Sequence, residues 1–150
     1  MLTSNDASAH LVTYSLGSCV GVAIYDPIAK VGGLLHAMLP DSTINPDRAA
    51  KRPSMFVDTG LPAMFHAVSA LGGLRQRLIV KLVGGAEFLD QNKIFRTGQR
   101  NIKATKAMLE RIGVTLAASE TGGHESRTVR LDLSNGSFTV NIPGKTPFQL

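Results

Sequence analysis

The sequence predicts a layered α/β fold with a mixed, largely antiparallel sheet and about two main helices. Three observations predict it. Seven short apolar runs carry the β-branched and aromatic residues that suit a pleated, half-buried surface. Two longer stretches repeat apolar residues at helical spacing between cap and glycine signals. The order is three strands, a helix, a strand, a helix and three strands, which lacks the strict alternation of a parallel doubly wound sheet.

After a polar start, strands are expected near 11–14, 20–25 and 31–39. The stretch "PDSTINPDRAAKRPS" (40–54) has three prolines, and its basic residues outnumber its aspartates, so an exposed surface loop is expected there. "VDTGLPAMFHAVSALGG" (57–73) reads as a helix with Asp58 or Thr59 as N-cap, Pro62 in the first turn and Gly72 or Gly73 as its end. Its core face is Leu61, Met64, Phe65, Val68 and Leu71.

"RLIVKLVGG" (77–85) reads as a buried strand whose closing Gly84 and Gly85 permit a close backbone approach or a sharp turn. A second helix is expected over 99–112, with Ile102, Thr105, Met108, Leu109 and Ile112 on one face and Gly113 as its stop. Strands follow at "VTLAAS" (114–119), "TVRLDL" (128–133) and "FTVNI" (138–142), with "SNG" (134–136) as a hairpin signal.

At 150 residues one domain spanning 1–150 is expected. No run reaches the roughly 18 to 20 apolar residues of a membrane helix, and the amino terminus lacks the build of a secretory signal. With a single cysteine, which excludes an internal disulfide and a multi-cysteine zinc site, this points to the cytoplasm. The net charge of +5 favours an acidic partner. Nucleic acid is not expected, because no basic block is interleaved with aromatics and Trp is absent. His10, His66 and His124 form no metal-ligand pattern, so no metal or cofactor is expected.

The one cysteine lies in "SLGSCVGVAIYD" (15–26). If Asp26, Pro27, Ile28 and Ala29 form a four-residue hairpin loop, Tyr25 faces Lys30, and the same register sets Cys19 directly opposite His36. Directly opposed residues share a face of the sheet, and an imidazole there can take the proton of a thiol. A short return through 15–18 could bring Thr13 beside the pair to orient the imidazole. Gly17 and Ser18 supply candidate oxyanion donors. A small buried cysteine and a satisfied core histidine fit the same spacing, and spacing alone does not separate the readings.

Thr13, "LGSCVGVAIYD", "GGLLHAMLP", "FVDTGLPAM", "VGGAEF", "TGQRN" and "ETGGHESRTVRL" together resemble the CheD family, the chemoreceptor glutamine deamidases of bacteria and archaea. The resemblance runs from about residue 11 to residue 140. It implies a layered α/β sandwich like the deamidase domains of cytotoxic necrotising toxins, Cys19 as nucleophile, His36 as general base then acid, and Thr13 as the residue that orients His36. Glu120 stands where an aspartate is often found.

The implied reaction converts receptor glutamine to glutamate through a thioester, with glutamyl methyl ester hydrolysis as a side activity. The implied partners are receptor cytoplasmic helices and a CheC-type phosphatase, reached through protein contacts and not by membrane insertion. Arg48, Lys51, Arg52 and Arg100 are candidates for docking an acidic helix, and Gly84, Gly85, Gly122, Gly123 and His124 for lining the site. Turn chemistry alone accounts equally for the glycines. The competing functions are a non-catalytic adaptor for receptors or CheC, and a basic nucleic-acid module using 40–54.

Overall fold

The computed structural model describes residues 1–87 and 96–150. In chain order the elements are β1 (Leu2–Ser4), β2 (His10–Leu16), β3 (Val20–Asp26), β4 (Val31–Ala37), α1 (Pro46–Lys51), α2 (Val57–Ala70), β5 (Ile79–Gly84), α3 (Thr97–Arg111), β6 (Leu116–Thr121), β7 (Arg127–Asp132), β8 (Phe138–Asn141) and β9 (Phe148–Gln149). The α/β layering is as expected, and α2 and α3 are the two main helices. The strands divide between a five-stranded sheet, β1-β4-β3-β5-β6, and a four-stranded sheet, β2-β7-β8-β9. The pairing is antiparallel except at β5 and β6, which are parallel and joined through α3.

The larger sheet is the middle layer, which explains why "VGVAIYD" is apolar without alternation. Every residue of β3 is buried. Val20, Val22 and Ile24 pack with Leu35 and Leu82 against Val57, Leu61, Met64 and Val68 of α2 and Met108 and Leu109 of α3. Ala23 and Tyr25 pack with Leu34 and Val83 against Val129, Leu131, Phe138 and Val140 of the second sheet. A strand buried on both faces shows a continuous apolar run instead of the period of two that a half-exposed strand would show.

The expected hairpin register is corrected. Asp26 stays in the ladder opposite Val31, and Gly21, not Cys19, lies opposite His36. The cause is the Asp26 carboxylate, which is wholly buried and accepts from the amides of Ile28, Ala29 and Leu74 and from Nε and Nη2 of Arg77. Those bonds hold Asp26 inside the sheet and place the four-residue loop one position later. Paired numbers therefore move by two, which keeps the same faces together.

These bonds hold the Asp26 carboxyl well below the usual carboxylate range despite burial, which alone would raise it. A depressed folded-state pKa contributes stability above the unfolded value of about 3.9, lost as pH falls through the folded one. Asp26→Asn is expected to cost about 3 kcal/mol at pH 7, as for one partner lost from a buried pair. Urea unfolding of both proteins should show the gap narrowing below about pH 4.

Two other expectations are corrected. The 40–54 segment is exposed as expected but ordered, holding α1 and two 3-10 turns. Neither Asp58 nor Thr59 caps α2, which begins at Val57 because the Val57 amide donates to Leu39 O at 2.9 Å. Asp58 instead accepts from the amide and hydroxyl of Ser42, and the Thr59 hydroxyl donates to Pro53 O. Pro62 accordingly falls inside the helix, beyond the first turn.

Candidate active site

Thr13 comes from the second sheet and His36 from the first, and they meet in the layer between the sheets. The pairing of β2 with β7 is irregular between Thr13 and Leu16, where Ser15 has a φ of 55°. Thr13 Oγ1 and His36 Nδ1 are hydrogen-bonded at 2.8 Å. With the proton on Nδ1 and the hydroxyl accepting it, Nε2 keeps its lone pair. Nε2 is buried and has no hydrogen-bond partner among the described residues. A buried ring nitrogen without a partner is costly in a purely structural histidine and is what a proton acceptor needs.

Cys19 sits in the bend at 17–19 just before β3, half-buried against the apolar cluster between the sheets. It lies one residue before the β3–β4 ladder, in which Gly21 stands opposite His36. Burial raises the Cys19 thiol above its ordinary value, with its own amide pulling the other way. Burial lowers the His36 imidazole, with the Met1 ammonium acting in the same direction. Both shifts favour a neutral thiol and a neutral imidazole.

The bend is held from below. Gly17 O accepts from Ala86 N at 2.8 Å, Ser18 O from Asn101 Nδ2 at 2.9 Å, and Cys19 O from Gly85 N at 2.8 Å. In a trans peptide the N–H points opposite to the preceding carbonyl, and no cis bond occurs among the described residues. The Ser18 and Cys19 amides therefore point away from these anchors. The Gly17 amide, an expected oxyanion donor, is instead spent on Ser15 O at 2.9 Å.

Gly84 and Gly85 underlie the bend. Gly84 has a φ of 101°, and a Cβ there would stand 2.4 Å from Cys19 O. Gly122 N donates to Gly84 O at 2.9 Å, and Gly123 O accepts from Glu87 N at 3.0 Å, so these two glycines dock the loop after β6 beside the same strand end. Glu120 receives Nε and Nη2 of the buried Arg127, whose Nη1 donates to Glu125 O. That pair ties the start of the loop to its end. His124 is exposed, as are Arg48, Lys51 and Arg52 on and after α1 and Arg100 on α3. Among the described residues no group of three His, Cys, Asp or Glu could hold a metal, and no helix is long and apolar enough to cross a membrane.

Asn101 was not singled out from the sequence. It is fully buried on α3 and donates to both Ser18 O and Met38 O at 2.9 Å. A signal existed: position 101 falls on the same face as Thr105, Met108 and Leu109, where a polar amide is out of place unless it has partners.

A sequence model of the family described as "CheD chemotactic sensory transduction" matches residues 38–142. The chain is 48% identical over 141 residues, 94% of its length and 88% of the relative's, to a probable chemoreceptor glutamine deamidase CheD 1 of Syntrophus aciditrophicus. It is 47% identical over 135 residues, 90% of its length and 80% of the relative's, to a probable chemoreceptor glutamine deamidase CheD of Solibacter usitatus. A protein of the same description from Pyrococcus horikoshii is 44% identical over 130 residues, 85% of this chain and 79% of that one. The family model begins after His36, but the first of these alignments is too long to leave out positions 13, 19 or 36.

Proposed function

The chain belongs to the CheD family, and we propose that it is a chemoreceptor glutamine deamidase using Cys19, His36 and Thr13. The observation that carries the mechanism is the 2.8 Å hydrogen bond between Thr13 Oγ1 and His36 Nδ1, beside a buried Nε2 with no partner among the described residues.

In the proposed reaction Nε2 takes the thiol proton as sulfur attacks the carboxamide carbon of the glutamine, and the carbonyl π electrons move to oxygen beneath the Ser18 and Cys19 amides. The C–N bond then breaks and Nε2–H gives its proton to the departing amine, which leaves as ammonia. Water attacks the thioester while Nε2 accepts its proton; the C–S bond then breaks, Nε2–H returns that proton to the leaving sulfur, and glutamate is released with thiol and imidazole restored. A glutamyl methyl ester would reach the same acyl-enzyme with methanol as the leaving group.

Receptor signalling helices, which lie on the cytoplasmic side, carry many carboxylates and suit the exposed cations Arg48, Lys51, Arg52 and Arg100. Arg100 stands close enough to Asp41 for its charge to add to the Thr43 hydrogen bonds that lower that carboxyl. It thereby belongs to the same end of the molecule as the 40–52 segment. A CheC-type phosphatase presenting a similar helix would compete for this surface.

The test is incubation of the protein with a receptor cytoplasmic fragment, followed by peptide mass spectrometry and an ammonia assay. Conversion of particular glutamines to glutamate with matching ammonia is expected. Binding of the fragment with every glutamine intact would overturn the deamidase reading in favour of an adaptor.

A further inference from the structure

The geometry points to Asn101 as the positioning residue of this site. It aims the Cys19 amide and ties the nucleophile bend to the histidine strand. The inference rests on the acyl-transfer reading above for its kinetic consequence, but not for its structural content.

One amide group of Asn101 donates to two carbonyls, one in the nucleophile bend and one just past β4. Ser18 O belongs to the peptide whose N–H is that of Cys19, and Met38 O lies two residues beyond His36. Both acceptors are carbonyls, so the nitrogen must be the atom that faces them, and the orientation of the amide is settled. Fixing Ser18 O fixes the whole Ser18–Cys19 peptide plane, and with it the direction of the Cys19 N–H. Fixing Met38 O with the same nitrogen sets the spacing between the bend and β4.

The oxygen end of Asn101 makes the functional reading stronger than a packing one. Oδ1 is buried and has no partner among the described residues, where it shares that condition only with His36 Nε2. An apolar residue at this fully buried position would avoid that cost, and the neighbouring Thr105 satisfies its own hydroxyl on Asn101 O. The amide is kept for the two bonds it donates. An oxyanion donor matters only in the transition state, so loss of its aim should appear in kcat and not in KM.

The experiment compares Asn101→Ala and Asn101→Ser with the wild type at temperatures well below each melting transition. Steady-state deamidation of the receptor fragment is measured alongside the backbone amide shifts of ¹⁵N-labelled protein. A roughly 10²-fold fall in kcat is expected, with KM within about twofold, as for loss of one oxyanion donor. The Cys19 amide resonance should move while those of the second sheet, such as Val129, stay in place. Movement of the Cys19 amide in the variants, with a wild type that deamidates nothing, would uphold the positioning and sink only the reaction. Wild-type kcat in a folded variant, or an unmoved Cys19 amide, would overturn the inference. The serine variant gives the same readings if the alanine variant does not fold.

Discussion

Cys19→Ala should lower glutamate formation by about 10⁴-fold or more while leaving affinity for the receptor fragment within about twofold. The large figure follows from what the remaining site can do. Without sulfur, His36 could still activate a water, but nothing would hold that water at attack distance, and the two-step route through a better leaving group is lost. Binding is spared because the substitution leaves the exposed cations of the proposed docking surface untouched. Hydroxylamine sharpens the reading. Added to the wild type, it should intercept the thioester and leave a hydroxamate at the target glutamine, and the alanine variant should give neither hydroxamate nor glutamate. Residual turnover within tenfold of the wild type would show that water attacks directly and that Cys19 is a packing residue.

The parts of this site that were readable from sequence are those fixed by local pattern. The turn at 26–30 and the two flanking runs placed Cys19 and His36 on one face. The observed ladder differs from the expected one by two, which preserves the faces of β3 and β4, with Cys19 one residue outside it. The error itself was unreadable locally: Asp26 is held in the sheet by Leu74 and Arg77, far along the chain. Thr13 was placed beside the pair for the wrong reason. It arrives not by a tight return but from a second sheet, whose separate identity depends on β2 pairing with β7 more than a hundred residues later. The edge strands β1 and β9, three and two residues long, carry too little pattern to be seen. Asn101 shows the same limit, since its partners Ser18 and Met38 belong to other strand ends.

His36→Ala is expected to reduce kcat about 10³-fold, within the range for loss of a general acid and base, with little change in KM. The sign of the wild-type pH dependence follows from the environment of the ring. Burial and the Met1 ammonium both disfavour imidazolium, so the folded pKa lies below the ordinary value of 6.5. The proposed mechanism uses the neutral form, so activity should be complete above that lowered pKa and fall as pH drops through it. The acid limb of kcat/KM should therefore lie at lower pH than for an exposed histidine, and the His36→Ala variant should lack that limb. Thr13→Val provides the cross-check. It removes the hydrogen bond to Nδ1 and should cost roughly 10²-fold in the wild-type background, yet nothing further once His36 is alanine. An acid limb above 6.5 would require an imidazolium stabilised by a resting thiolate. Burial of both groups opposes that pair, and its finding would replace the neutral mechanism with one that begins from separated charges.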